Sequence, residues 1–184
     1  METIKTYMIH WFGPFRSIDE VAVWEKQNSN HVCNLYLLAG KKPYARMTRH
    51  YYCGKTIQGV HKRLNNLGHH IEELKEVEEI WMGCFRNINP ENEDILIIEK
   101  IVTAYLTQVV GDKKMLNAIN KCFPKNQICV INRWYKPSKG LWSRFVDYSP
   151  ARIIPEVILH YYSDNTHLIY GTDKLKRLKI IEDK

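Results

Sequence analysis

The sequence predicts an α+β fold with a small central three-stranded antiparallel sheet flanked by helices, an N-terminal strand-helix extension and a C-terminal β-rich extension. Short runs rich in β-branched and aromatic residues alternate with helical patterns as far as Asn120. From Asn126 the pattern changes to apolar–polar alternation interrupted by glycine and proline. We therefore divide the chain into an N-terminal extension (1–31), a core (32–120) and a C-terminal extension (121–184).

The N-terminal extension contains one strand pattern and one helix pattern. Ile4–Trp11 is rich in β-branched and aromatic residues, and a Gly-Pro pair ends it. Ser17 is followed three residues later by Glu20, the spacing of a capping box. A short helix is therefore predicted over Val21–Gln27.

The core contains three predicted strands separated by helical patterns. The first two strands form a predicted hairpin with a long basic connection. A helix over Ile57–Asn66 and helical turns over His70–Glu79 precede the third strand. The predicted strands are Cys33–Leu38, His50–Gly54 and Ile80–Arg86.

A long helix follows, with Asn89 and Pro90 in the positions of an N-cap and a first helical residue. It runs to about Val110, before Gly111, and a shorter helix is predicted over Lys113–Asn120. The C-terminal extension has four strand patterns and a basic final segment. These are Ile128–Trp134, Trp142–Tyr148, Val157–Tyr162, His167–Tyr170 and the basic Lys174–Lys179.

Composition limits the class of protein. The 184 residues are 45% hydrophobic and 26% charged, which is typical of a globular chain rather than a disordered one. Apolar runs such as Ile95–Ile98 are too short to span a membrane, and the first residues lack a secretory signal. The five cysteines are widely spaced and odd in number, so we expect reduced, mostly buried thiols and a cytoplasmic location.

The net charge of +7 is unevenly distributed along the chain. Lys41–Arg63 carries seven basic residues and no acidic one, whereas Glu72–Glu99 carries nine acidic residues. This pattern predicts a basic strip that binds phosphate and an acidic face exposed to solvent. The candidate nucleic-acid-binding residues in the strip are Lys41, Lys42, Arg46, Arg49 and Lys62.

Several short motifs occur in a particular order. Asn34-Leu35-Tyr36 lies in the first core strand, and Tyr52-Cys53-Gly54 followed by Lys55 lies in the second. Arg63 is on the next helix, Glu99 on the long helix and Asn117 beyond it. This order resembles the GIY-YIG nuclease superfamily over Cys33–Asn120, with Asn34 in place of the usual glycine.

The resemblance implies a metal-dependent endonuclease that hydrolyses DNA phosphodiester bonds, similar to the compact restriction-type members. It implies that Glu99 binds Mg²⁺ or Mn²⁺ and that Arg63 stabilises the charge of the transition state. Tyr36, aided by Tyr52 and Lys55, would activate the attacking water. It also implies that Asn117 belongs to the nucleic-acid-binding site.

The chemistry of these residues agrees with such roles but leaves structural alternatives open. Glu99 lies in the apolar stripe of its helix, where a carboxylate is costly without a cation nearby. The alternatives are a glutamate at the edge of the stripe, tyrosines buried with satisfied hydroxyls, and a surface arginine. Family members often have His or Tyr at the position of Leu67, so the histidines nearby are candidates for that group: His61, His69 and His70.

The main alternative function is a non-catalytic nucleic-acid-binding protein, and a third is a basic protein-interaction domain. DNA is the expected partner, RNA is not excluded, and a homodimer would be expected for cutting both strands at a symmetric site. Aromatic residues of the C-terminal extension, such as Trp134 and Trp142, are expected in the core rather than stacked on bases. The basic segment Lys174–Lys179 is equally compatible with binding phosphates and with solvation of the chain end.

Overall fold

The structure, a computed structural model, describes residues 4–45, 47–122, 124–125, 127–138, 141–144, 153–163 and 166–172. The helices in this part of the chain are α1 (Ile18–Gln27), α2 (Val60–Leu64) and α3 (Asn92–Val110), with 3-10 helices at His70–Glu73 and Asp112–Lys114. The strands are β1 (Lys5–Phe15), β2 (Cys33–Lys41), β3 (Arg49–Lys55), β4 (Glu76–Phe85), β5 (Ile128–Ser138), β6 (Leu141–Arg144), β7 (Val157–Ser163) and β8 (Thr166–Thr172).

The predicted fold class is wrong, because the three core strands belong to a much larger sheet. Over the described residues, eight strands form one mixed sheet in the order β3-β2-β4-β1-β5-β7-β8, with β6 paired to β5. β1 pairs antiparallel with β4 and parallel with β5, so both extensions continue the sheet. Without β1, the long strand β4 would have an unpaired edge, which proteins normally cover.

Three local predictions are also corrected. The residues from Glu76 to Glu79, predicted as helical, form the start of β4 and pair with β2. The segment over Lys113–Asn120, predicted as a helix, is helical only in the 3-10 turn that ends at Lys114. It then runs alongside β3, where Leu116 N donates to Tyr51 O (2.8 Å). Backbone groups on the outer edge of β3 are thereby satisfied.

The start of α3 is the third correction. Glu91, rather than Asn89, is the N-cap, because Glu91 and Asp94 form a reciprocal capping box. Asp94 Oδ1 also accepts hydrogen bonds from Tyr7 Oη and Lys5 Nζ, each at 2.6 Å. The N-terminal strand therefore fixes the start of the helix that carries Glu99.

Two hydrophobic clusters lie on opposite faces of the sheet. α3 packs on one face with Leu35, Leu37 and Trp134, while α1 and α2 cover the other face. Trp134 is 1% exposed and stacks on Trp11 with ring centroids 5.3 Å apart, which confirms the expectation that it is a core residue.

The cysteines differ from the prediction of five reduced thiols. Cys33 and Cys84, opposite each other on β2 and β4, form a disulfide, while Cys53 is a buried free thiol. Within the described ranges, no helix has the length and apolar character needed to cross a membrane. Arg46, residues 145–148 and the basic segment Lys174–Lys179 lie outside the described residues.

Candidate active site

A cavity of about 1060 Å³ opens beside β3. Four of the five predicted catalytic residues line it: Tyr52, Lys55, Arg63 and Glu99. Tyr52 and Lys55 lie on β3, Arg63 on α2 and Glu99 on α3. The fold therefore brings together groups up to 47 positions apart in the chain. His69 and His70 also belong to the cavity wall.

Glu99 reaches this cavity although α3 packs on the sheet face opposite the Tyr36 side chain. The cavity lies at the outer edge of β3, where the two faces meet, and residues from both sides line it. Glu99 is 5% exposed, and its Oε2 accepts a hydrogen bond from Asn120 Nδ2 at 3.0 Å. Burial raises the pKa of Glu99 to about 7, although the positive charges of Lys55 and Arg63 oppose this rise.

Tyr36 is completely buried and is not part of the cavity wall. Its ring lies over Gly54, its partner in the β2–β3 ladder. A Cβ at Gly54 would collide with the Tyr36 ring and come within 2.6 Å of Tyr52 Cε1. The glycine of the Tyr52-Cys53-Gly54 motif is therefore required by the close approach of the two tyrosines.

His69 holds the Tyr36 hydroxyl from the side of the 3-10 helix. His69 Nδ1 accepts a hydrogen bond from Ile71 N at 3.0 Å, so the ring proton lies on Nε2. Nε2 then donates to Tyr36 Oη at 2.8 Å. Burial, together with the charge of Arg63, lowers the pKa of His69 to about 4, so the ring is neutral at neutral pH.

Tyr52 is the phenol nearer to the cavity. It is 7% exposed and packs against the His70 ring, with centroids 4.9 Å apart. Burial raises the pKa of Tyr52, whereas a hydrogen bond from the Tyr36 hydroxyl and the charge of Arg63 act in the opposite direction. His69, Tyr36 and Tyr52 thus form one cluster, in which the Tyr36 and Tyr52 ring centroids are 5.9 Å apart.

The helix that carries Arg63 is held by the N-terminal extension. Glu25 of α1 accepts hydrogen bonds from the backbone N–H groups of Val60 (2.7 Å) and His61 (3.2 Å). Its carboxylate also contacts His61 Nδ1, so His61 is directed towards Glu25 and is not part of the cavity wall. α1 therefore positions the short helix α2 and, with it, Arg63.

Much of the basic strip is neutralised by acidic residues, while five residues of the expected acidic face are exposed: Glu72, Glu73, Glu76, Glu91 and Glu93. Lys41 Nζ lies 2.8 Å from Glu78 Oε1, Lys42 Nζ lies 3.0 Å from Glu73 Oε2, and Arg49 pairs with Glu78 and Glu79. The β2–β4 register places Lys41 opposite Glu76, which the sequence alone does not specify. Among the described residues, no ion pair involves Lys55, Lys62 or Arg63, so their charge is available to an anion.

Asn117 lines the cavity, but its amide is occupied by the backbone. Its Oδ1 accepts from Cys53 N (3.0 Å), and its Nδ2 donates to Cys53 O (2.7 Å). Cys53 lies between Tyr52 and Gly54, so Asn117 holds the edge of β3 at the motif. Asn117 therefore positions the Cys53 backbone. The resemblance implies, in addition, that it contacts nucleic acid.

The residues around Glu99 suit a hard cation held by few protein ligands. Within the described part of the chain, no group of three or more His, Cys, Asp or Glu side chains could enclose a metal. A single carboxylate completed by water and phosphate oxygens is a donor set that Mg²⁺ accepts. The raised pKa of Glu99 indicates a buried carboxylate that a cation would stabilise.

The role of His69 and the role of Glu25 are the two features that the sequence did not specify. The sequence offered His69 only as one of three nearby histidines, and no local pattern connects Glu25 with α2. In a comparison with protein families, curated proteins and solved structures, nothing matches the chain.

Proposed function

We propose that the protein is a divalent-metal-dependent endonuclease that hydrolyses DNA phosphodiester bonds, with site residues that resemble those of GIY-YIG nucleases. The observation that supports this most is that Tyr52, Lys55, Arg63 and Glu99 line one cavity. These residues provide a phenol, two cationic groups and a buried carboxylate, a set that can support metal-dependent phosphodiester hydrolysis. We also propose a cytoplasmic location, where such a substrate would be met, although the disulfide between Cys33 and Cys84 is uncommon in that compartment.

In this mechanism Arg63 and Lys55 bind the scissile phosphate. The guanidinium can donate two parallel hydrogen bonds to phosphate oxygens and stabilise the charge that develops in the transition state. Glu99 would hold Mg²⁺, which supplies a Lewis acid for the phosphate when it is bound. The ammonium of Lys55, exposed at the cavity, adds a second positive charge.

Tyr52 orients the attacking water and, in its ionised form, accepts the proton of that water while the opposite P–O ester bond breaks. A phenol needs help to act as a base at neutral pH, because its ordinary pKa is about 10. Burial raises the pKa of Tyr52, while the hydrogen bond from Tyr36 and the charge of Arg63 oppose this rise and favour the ionised form. Tyr36 is buried outside the cavity lining, whereas Tyr52 lines the cavity. Tyr52 is therefore the tyrosine that contacts the attacking water, and Tyr36 positions Tyr52.

The proposal is tested by incubating the purified protein with supercoiled plasmid in Mg²⁺ and in EDTA. We expect conversion to the nicked form in Mg²⁺ only, and we expect Arg63→Ala to slow it strongly. A protein that binds DNA tightly but cuts neither duplex, branched nor single-stranded DNA would instead be the non-catalytic binding protein. Binding that is nearly independent of salt would favour a protein-interaction domain, because phosphate contacts give a steep dependence on salt.

A further inference from the structure

Exposed apolar side chains stand at the cavity that carries the charged groups. Ile57, in the connection between β3 and α2, is 75% exposed, and Ile119, after the segment that follows β3, is 73% exposed. Both belong to the cavity lining. Leu67 is 98% exposed and directly precedes Gly68, which also lines the cavity.

Single exposed apolar residues need no explanation, but this arrangement combines two different chemistries in one place. Lys55 and Arg63 select a polyanion, whereas Ile57 and Ile119 gain nothing from contact with phosphate or its water shell. Apolar side chains beside a phosphate-binding site can bury surface against the faces of neighbouring bases when those bases are unstacked. In an intact duplex those bases are stacked inside the helix.

We infer that Ile57 and Ile119 contact unstacked bases next to the bound phosphate, so that the site selects nucleic acid whose bases are unpaired or easily unstacked there. The inference rests on the nucleic-acid substrate of the proposed function. Aliphatic wedges that enter base steps are an established way to hold such distorted nucleic acid, and the energy of the contact comes from burial of apolar surface. Charge complementarity with Lys55 and Arg63 identifies nucleic acid, rather than an apolar protein surface, as the occupant.

The test compares binding of two oligonucleotides of the same length and charge, a perfect duplex and a duplex with a short central bubble. Binding is measured by fluorescence anisotropy without divalent metal, so it does not depend on cleavage. We expect the wild type to bind the bubble about tenfold more tightly than the duplex, from apolar contacts to the opened bases. The double variant Ile57→Ala with Ile119→Ala should lose most of this preference while keeping its affinity for the duplex.

The matched control is Val23→Ala with Val109→Ala, which removes two exposed apolar side chains outside the cavity lining and should keep the preference. Equal binding of both oligonucleotides by the wild type, or an unchanged preference in the isoleucine variant, would overturn the inference. So would failure to bind either oligonucleotide, which would point to a protein partner at the rim. A bubble preference without any nicking would reject the enzyme and keep the inference about the bases.

Discussion

Tyr36 Oη lies 2.8 Å from His69 Nε2, and His69 can only donate in this pair because its Nδ1 accepts from the Ile71 amide. The relationship joins the first motif of the core to a histidine 33 positions later in the chain. It leaves the proton of Tyr36 free to be donated towards Tyr52. In the His69–Tyr36 pair, the histidine is therefore the donor and the tyrosine oxygen the acceptor.

Removal of the Tyr36 hydroxyl should destabilise the protein. Tyr36→Phe leaves the buried His69 Nε2–H without an acceptor, which typically costs about 1–3 kcal/mol. Urea denaturation should detect this loss in the free energy of unfolding. Tyr52→Phe is the matched comparison and should cost less, because the Tyr52 side chain borders the open cavity. Equal stability of wild type and Tyr36→Phe would contradict the hydrogen bond.

The stability should depend on pH through His69. Its pKa is lowered to about 4, below the ordinary value of 6.5, so the unfolded chain binds more protons than the folded one between these values. Stability contributed by the neutral ring is present above 6.5 and is lost as the pH falls towards 4. From pH 7 to pH 5 this loss is about 2 kcal/mol.

The loss is measured as the difference in unfolding free energy between the wild type and His69→Gln at each pH. Glu99 also titrates in this range, and taking the difference between two proteins that share Glu99 removes its contribution. A difference that stays constant with pH would show that His69 is not held neutral by burial.

Glu99→Gln should raise stability in the absence of metal. The pKa of Glu99 is raised to about 7, so its carboxyl favours the folded state at low pH, and this contribution is lost as the pH rises from 4.5 to 7. Glutamine remains neutral, so at pH 8 the variant should be more stable by about 3 kcal/mol. Urea denaturation without Mg²⁺ measures the cost of the buried carboxylate, and denaturation with Mg²⁺ measures the stabilisation by the metal. The metal should stabilise the wild type and leave the variant unchanged. If the variant were less stable than the wild type at pH 8, the claim that the buried, ionised carboxylate of Glu99 destabilises the folded protein would be wrong.

Glu25 should affect catalysis from outside the cavity. Glu25→Ala removes the acceptor of two backbone N–H groups at the start of α2, so the free energy of unfolding should fall by about 1–2 kcal/mol and the nicking rate by about tenfold. Asp19→Ala, an exposed carboxylate on the same helix α1, is the control. Single-turnover nicking at saturating protein measures the rate, and identical rates for the two variants would show that α1 does not position Arg63.

The local pattern predicted the strands around Tyr36 and Tyr52 and the helix that carries Glu99, because periodicity and end signals act over a few residues. It could not predict that β1 pairs with β4 and β5, since these contacts join residues far apart in the chain. The same limit applies to the ion pairs of Lys41, which depend on strand register. It applies equally to His69, whose importance follows from the position of its ring rather than from any motif.

The central claim is that Glu99 serves a metal-dependent cleavage in the cavity that it shares with Tyr52 and Arg63. The most direct measurement is the rate at which the wild type and Glu99→Gln nick supercoiled plasmid in Mg²⁺, at protein concentrations that give equal DNA occupancy. The proposal predicts nicking by the wild type and a loss of at least about a hundredfold in the variant. Equal nicking by both proteins, or no nicking by the wild type at full occupancy, would contradict it.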